Sequence, residues 1–329
     1  MNRSADGAPQ VRLAPAKLNL TLAVVGRRPD GYHALHSVMV PLDLADRLSV
    51  APAIGDRDTL HVDGLDSGPL ETNLVLRAFA ATRAALPAGA APGPLSARLE
   101  KRIPVAAGLG GGSSDAAAAI DAALAAWGVE LEPARTLAVA AAVGSDVPFF
   151  LARGAALVEG RGERVTPLAG VTGRPPAVVL VAPRVPVATA AVFAAYAAGG
   201  PGAAPAPGAT RSSSEHLAAE LRVGLRARDL VARAGVLAAA NDLAAAAAVV
   251  APWLPGLRRS LVRLLRRPVG LSGSGPTCWA LYPSREEAEA AAAVLQAAVA
   301  SGDLASPGTA VPFIGASTIV SREPGGKDS

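Results

Sequence analysis

The sequence predicts a mixed α and β protein of two domains, and three observations carry that prediction. The chain has 329 residues, 51% of them hydrophobic and 18% charged, which is enough for two ordinary cores. Residues 95–103 alternate strictly, with Leu95, Ala97, Leu99, Lys101 and Ile103 on one face, as a half-buried strand requires. Shortly after them, Ile120, Leu124 and Trp127 recur at helical spacing.

The remaining elements follow from similar signals. Residues 11–25 read as a strand despite Pro15, and the RRPDGYH stretch after them supplies a Pro-Asp-Gly turn. Residues 38–50 give a further strand and residues 73–86 a helix. A glycine loop separates the strand ending at 103 from a helix over 113–127. Pro133 suits the first turn of a second helix over 133–143, and Gly144 suits its end. Residues 178–183 form a short apolar strand in the second domain. Helices fill most of 215–267. Residues 268–282 read as strand, glycine turn and strand. Ser284 with Glu287 makes a capping box before a helix reaching about 301, and 311–321 is a last strand. The low-complexity GGPGAAPAPGATRSSS stretch, residues 199–214, reads as a mobile surface loop.

Composition excludes several classes. The opening MNRSADGAPQ has no apolar run, so no secretory signal is expected. The alanine-rich stretch 238–252 is interrupted by Asn241 and Asp242, so no membrane span is expected. One cysteine, Cys278, allows no internal disulfide and fits a reducing cytoplasm. The net charge is +4 and the pI about 9.7. The densest basic stretch, LRRSLVRLLRR at 257–267, segregates its arginines from Leu257, Leu261, Leu264 and Leu265, as a solvated amphipathic helix does. A nucleic-acid or membrane partner is therefore not expected. Only Lys17, Lys101 and Lys327 among the 31 basic residues are lysines. The two cations differ chemically, so a lysine inside an ordered element draws attention.

Candidate chemistry centres on GLGGGSSDAA. Glycines let a backbone turn sharply and approach a ligand closely. The helix start beyond them exposes unpaired N–H groups and a positive dipole end, which together favour phosphate. Ser113 and Ser114 can cap that helix, donate to phosphate or ligate Mg²⁺. The loop matches neither the Walker motif, which needs a lysine, nor the dinucleotide fingerprint, which needs glycine at position 113. A plain glycine turn before a capped helix fits the spacing as well. In APAKLNLTL a strand places Lys17, Asn19 and Thr21 on one face, as a polar site or an exposed strand face. Asp146 in VGSDVPFFL is a site carboxylate or a turn cap. Tyr32 and His33 follow the DGYH turn in a chain with 3% aromatics, as ligand contacts or as packing. GLSGSGPTCWALY is a second glycine turn, which alone means no more than a hairpin.

In this order, APAKLNL, RRPDGYH, KRIPVAAGLGGGSSDAA, GSDVPFFL, EGRGE and LSGSGPTC resemble the GHMP kinases over residues 13–282. DGYH together with APAKLNL resembles the members of the non-mevalonate isoprenoid pathway. The departures are residues 199–214 and the tail after Pro307. The resemblance implies an α+β two-domain GHMP kinase fold, with an N-terminal domain like ribosomal protein S5 domain 2 and a ferredoxin-like C-terminal domain. It implies an N-terminal ATP-binding domain over 11–165 and a C-terminal domain over 166–321, with disordered ends at 1–10 and 322–329. It implies a cytoplasmic enzyme, monomer or homodimer, that uses ATP and Mg²⁺ to phosphorylate the 2-hydroxyl of a cytidine diphosphate-linked methylerythritol. Asp146 would be the base and Lys17 its partner. Pro104, Gly108, Leu109, Gly110, Gly111, Gly112, Ser113 and Ser114 would hold ATP, with Ser113 or Ser114 on Mg²⁺. Asn19, Tyr32, His33, Thr189 and Phe193 would bind the substrate, Phe193 facing Tyr32 across the cytosine. The residues leave room for two other readings. A GHMP kinase for another alcohol, such as homoserine or mevalonate, would use Tyr32, His33 and Phe193 only as packing. A non-catalytic nucleotide-binding regulator would have lost the Lys17 and Asp146 pair, and both residues are present.

Overall fold

The structure, a computed structural model, describes residues 8–65, 70–87, 90, 92–199 and 208–321. They gather into two compact units that interleave along the chain. The first comprises residues up to Ala16, Leu44–Val105 and Gly110–Leu151; the second comprises Lys17–Asp43, Ala106–Leu109 and residues from Ala152 onward. The division expected at 165/166 follows chain order, whereas these units exchange segments. Strands β1 (Gln10–Asn19) and β3 (His33–Pro52) contribute residues to both, and β2 (Ala23–Arg27) lies in the second.

The first unit adds strands β4 (Thr59–Gly64) and β5 (Leu95–Lys101) and helices α1 (Leu74–Ala84), α2 (Gly111–Trp127), α3 (Pro133–Val143) and α4 (Val147–Leu151). β5 pairs parallel to β4 and antiparallel to the second half of β3, with Ala97 between Leu60 and Val50. The expected alternation holds: Leu95, Ala97, Leu99 and Lys101 all point inward. Leu48, Val50, Leu95 and Leu99 from the strands pack against Phe79 of α1 and Ile120 of α2. Asn73 starts α1 by accepting the Val75 N–H at 3.0 Å, a cap worth about 1 kcal/mol. Helix α2 begins two residues before the expected position. Gly110, in a left-handed conformation, takes the cap position, so Ser113 and Ser114 lie within the first turn and cap nothing.

The second unit adds strands β6 (Ala156–Gly160), β7 (Arg164–Pro167), β8 (Val171–Thr172), β9 (Ala177–Ala182), β10 (Leu225–Arg226), β11 (Gly270–Leu271), β12 (Cys278–Tyr282) and β13 (Phe313–Thr318). Its helices are α5 (Thr189–Ala197), α6 (Ala209–Arg222), α7 (Ala227–Ala232), α8 (Ala234–Ala239), α9 (Ala244–Val250), α10 (Leu254–Leu265) and α11 (Arg285–Ser301). The order β11-β12-β9-β13 makes an antiparallel sheet. Its Val179, Val181, Leu271 and Ala280 share a core with Leu254 and Leu261 of α10 and Leu295 of α11. The Ser284 hydroxyl accepts the Glu287 N–H at 3.2 Å, so the capping box delimits α11 as its sequence predicts. Burial pushes the Cys278 thiol up to about 12, which keeps it an unreactive packing group. No helix among the described residues is long and apolar enough to cross a membrane.

Two expectations need correction. The strand expected over 11–25 breaks after Asn19. Leu20 N–H turns to Val38 O at 2.9 Å and Leu22 N–H to Ala240 O at 2.8 Å, so the chain leaves β1 for other partners before β2 begins. The stretch 199–214 is not a loop throughout. Residues 200–207 lie outside the described residues, but Ala209–Ser214 form the first turns of α6. Ser214, Leu217, Ala218 and Leu221 recur at helical spacing and are buried, a pattern that the serine run obscures. The expected disordered ends, 1–7 of 1–10 and all of 322–329, lie outside the described residues, and Gln10 opens β1.

Ser214 is fully buried, and its hydroxyl lies 2.8 Å from Thr21 Oγ1 and 2.9 Å from His36 Nδ1. Burial holds the His36 imidazole below the usual histidine range; Glu159 and Glu215 oppose that shift and Arg211 adds to it. The unfolded chain therefore binds more protons than the native state as pH falls through the unfolded histidine value of about 6.5, and stability rises with pH there. Denaturant titrations between pH 5 and 8 should show His36-dependent stability lost on acidification, and His36→Gln should flatten that dependence. An unchanged slope in the variant would assign it elsewhere.

Candidate active site

The first unit carries the helix start. Gly110 sits at φ 71° and ψ 16°, a left-handed conformation that glycine adopts without steric cost. Ser114 N–H turns back to Gly110 O at 2.9 Å. The amides of Gly111, Gly112 and Ser113 have no partner within the helix and present the positive end of a 17-residue dipole. Ser114 is buried, and its Oγ finds no hydrogen-bond partner. Helix α4 packs on α2, and Asp146 precedes α4 as a half-buried side chain. A Cβ on Gly144 would lie 4.0 Å from Ser113 Oγ, so the turn carrying Asp146 runs beside the helix start.

The second unit carries a directional chain of hydrogen bonds. Lys17 and Asn19 are 4% and 2% exposed, so the expected polar face of this strand is buried. Lys17 Nζ donates to Asn19 Oδ1 at 2.6 Å, Asn19 Nδ2 donates to Ser37 Oγ at 2.9 Å, and Ser37 Oγ donates to Thr21 O at 2.6 Å. Because the Ser37 hydroxyl gives its proton to a carbonyl, it can only accept from Asn19. That fixes the amide with its oxygen toward the ammonium. The second glycine turn closes on this pair: a Cβ on Gly273 would lie 3.3 Å from Asn19 Oδ1 and 3.4 Å from Lys17 Nζ. Ser272 Oγ donates to Gly108 O at 2.9 Å, Thr277 N–H to Ala107 O at 3.2 Å and Lys17 N–H to Leu109 O at 2.8 Å. Asn241 Nδ2 braces the turn through Leu271 O and Gly273 O, both at 2.9 Å. The segment that reads as a mere hairpin thus holds the opening of the first glycine loop.

The aromatic residues also lie in the second unit. His33 stacks on Phe193 with centroids 5.2 Å apart and planes at 21°, and Tyr196 meets His33 edge-on at 5.8 Å. Tyr32 is 54% exposed, with the Arg161 guanidinium 5.6 Å from its ring centroid. Thr189 Oγ1 lies 2.9 Å from Ser274 Oγ, which joins the start of α5 to the second glycine turn.

Residues 73–154 match the family model of the GHMP kinase N-terminal domain, and residues 221–301 match that of the GHMP kinase C-terminal domain. A curated 4-diphosphocytidyl-2-C-methyl-D-erythritol kinase of Pelotomaculum thermopropionicum is 39% identical over 281 residues, which cover 85% of this chain and 92% of that one. This chain belongs to the GHMP kinase family. The enzyme of the same name from Methylorubrum extorquens is 42% identical over 87% of this chain and 94% of its own length. A crystal structure of 4-(cytidine 5'-diphospho)-2C-methyl-D-erythritol kinase superposes with TM-score 0.66 at 34% identity, covering 94% of this chain and 99% of that one. Homoserine kinase from Cytophaga hutchinsonii superposes with TM-score 0.68 at 18% identity over 97% of each chain, a likeness of fold alone. The α+β architecture is the two-domain GHMP kinase fold.

Within this GHMP kinase the structure groups the residues singled out in the sequence. Gly110–Ser114 and Asp146 lie in the first unit; Lys17, Asn19, Tyr32, His33, Gly108, Leu109, Thr189 and Phe193 lie in the second. Leu109 points its side chain into the interior and Pro104 is half-buried at the opening of the loop. Phe193 lies directly against the His33 ring. For Mg²⁺, the hydroxyls of Ser113 and Ser114 fit an ion that takes most of its ligands from water and phosphate oxygens, and the unpartnered Ser114 Oγ is an oxygen of that kind. No cluster of three His, Cys, Asp or Glu suited to a metal occurs among the described residues.

Sequence reasoning missed one cluster, although its lysine was visible as one of three. Lys101, Asp46 and Asp115 are 3%, 0% and 4% exposed in their side chains and form one ionic group in the first unit. Lys101 Nζ donates to Asp46 Oδ2 and, at 2.7 Å, to Asp115 Oδ2. Asp46 Oδ1 accepts the N–H groups of Arg102 and Ile103 at 2.5 and 2.9 Å. Burial, reinforced by Asp46, pushes the Asp115 carboxyl up to about 7 against the pull of the Lys101 ammonium.

Proposed function

We propose that this chain phosphorylates the 2-hydroxyl of 4-(cytidine 5'-diphospho)-2-C-methyl-D-erythritol with ATP, a step in isoprenoid precursor synthesis, in the cytoplasm. The names of the relatives at 39% and 42% identity support the substrate. The observation that carries the chemistry is the Lys17–Asn19–Ser37 chain, which holds a buried ammonium in one direction. Gly108–Ser114, with Pro104 at the loop opening, receive the ATP phosphates through backbone amides, and the hydroxyls of Ser113 and Ser114 are the ligands offered to Mg²⁺. Bound Mg²⁺ neutralises phosphate charge.

Asp146 accepts the proton of the substrate hydroxyl as its oxygen bonds to the γ-phosphorus. The bond from that phosphorus to the β–γ bridging oxygen breaks, and ADP leaves. The Lys17 ammonium stabilises charge on the transferring oxygens. Asn19 contacts the sugar or diphosphate region of the substrate. Tyr32, His33, Phe193 and Thr189 recognise the cytidine end, with the exposed Tyr32 ring available for stacking.

Stacking on an aromatic face is worth about 1–3 kcal/mol per base. Tyr32→Ala should therefore lower kcat/KM for the cytidine substrate by about ten- to a hundred-fold and leave ATP affinity unchanged. His33→Ala should act in the same direction, since it also removes the partner of Phe193. The test is a coupled ADP-release assay with the cytidine substrate, homoserine and mevalonate, alongside separate titrations with an ATP analogue. Turnover of homoserine or mevalonate in preference, or loss of ATP affinity with cytidine binding intact, overturns the assignment.

A further inference from the structure

We infer that Lys101 is a positioning residue for the phosphate loop: its ammonium ties the end of β5 to α2 through Asp115, the fifth residue of that helix, while Asp46 anchors the amides that open the loop. The inference rests on the proposed role of residues 108–114 in holding ATP. The loop leaves the first unit's sheet at Lys101 and returns as α2 at Gly111, and both of its ends meet at one ammonium. The span between them is thereby set. A Cβ on Gly111 would lie 3.4 Å from Lys101 Nζ and 3.0 Å from Ile103 Cγ2, so the ammonium lies against the first helical residue. Displacing Lys101 should therefore shift the amides at the head of α2.

A stabilising role alone accounts poorly for this cluster. Buried ion pairs are often no better for stability than apolar residues of the same volume. Here Asp115 Oδ1 remains buried without a hydrogen-bond partner, which adds a penalty. The choice of cation fits the clamp: a compact ammonium can point at two carboxylates, whereas a planar guanidinium needs a broader site, and this chain otherwise prefers arginine.

The decisive variant replaces the clamp with apolar groups of similar size, Lys101→Met with Asp115→Leu, and leaves Asp46 its two backbone donors. Calorimetry with a non-hydrolysable ATP analogue should show affinity lowered about ten- to a hundred-fold, by analogy with the loss on removing residues that orient metal ligands. KM for ATP should rise in parallel. KM for the cytidine substrate should stay at its wild-type value. A folded variant with wild-type ATP affinity, or one that loses both substrates equally, overturns the inference. If the double variant does not fold, Asp115→Ala decides, because it removes the acceptor on α2 and leaves the Lys101–Asp46 pair in place: a rise confined to the ATP KM supports the clamp, and wild-type behaviour overturns it. Wild-type protein and Gly110→Val serve as controls. If ATP binding is absent from the former or intact in the latter, the phosphate-loop reading has failed rather than the clamp.

Discussion

Asp146→Asn should lower kcat by about 10²- to 10⁴-fold while ATP still binds. The substitution preserves the volume and one acceptor oxygen of the side chain and removes its negative charge and its capacity to take a proton. Asp146 sits where a base is useful: half-buried, one residue before α4, in a turn that passes beside Ser113 at the start of α2. That position tethers it to the helix start within one compact unit. Single-turnover kinetics should place the loss in the chemical step, with calorimetric ATP affinity and the thermal midpoint unchanged. A variant within a few-fold of wild type removes Asp146 from the role of base.

Gly110→Val should abolish ATP binding in a folded protein. The position requires φ 71°, which a β-branched residue reaches only with strain of about 1–3 kcal/mol. Relief of that strain rotates the peptide at the head of α2 and turns its free amides away from the phosphates. The strain is a modest part of a typical stability of about 5–15 kcal/mol, so the chain should still fold. Gly108 offers a contrast within the same loop. Its φ is 79°, and a Cβ there would lie 2.6 Å from Ser272 O and 2.8 Å from Gly275 O, both backbone atoms with no room to yield. Gly108→Val should therefore compromise the fold itself, and the comparison by circular dichroism and calorimetry separates the two glycines. ATP affinity that survives in a folded Gly110→Val protein counts against the phosphate cradle.

Much of the fold is legible from local signals because those signals act locally. Asn73 caps α1, Pro133 opens α3 and Ser284 with Glu287 delimits α11, each through groups within a turn of itself. The alternation of 95–101 and the helical period after Gly110 reflect which face is buried, and that needs no knowledge of the partner. The motifs that identify the family are equally local: a glycine loop, a strand with Lys17 and Asn19, and a turn with Asp146.

The sequence by itself determined these elements, the inward face that Lys101 occupies and the glycines on which the phosphate reading depends. Only the tertiary structure decided where long-range partners meet. Leu22 leaves its strand because Ala240 accepts its amide, and Ser214 is buried because Thr21 and His36 receive it. Phe193 lies on His33, and the second glycine turn closes over Lys17 and Asn19. A lysine at a strand end reaches solvent as easily as a buried carboxylate. Its burial follows from Asp46 of β3 and Asp115 of α2, 55 and 14 residues away, arriving at the same point. Local periodicity records which side of an element is covered, but it carries no information about which distant atoms cover it.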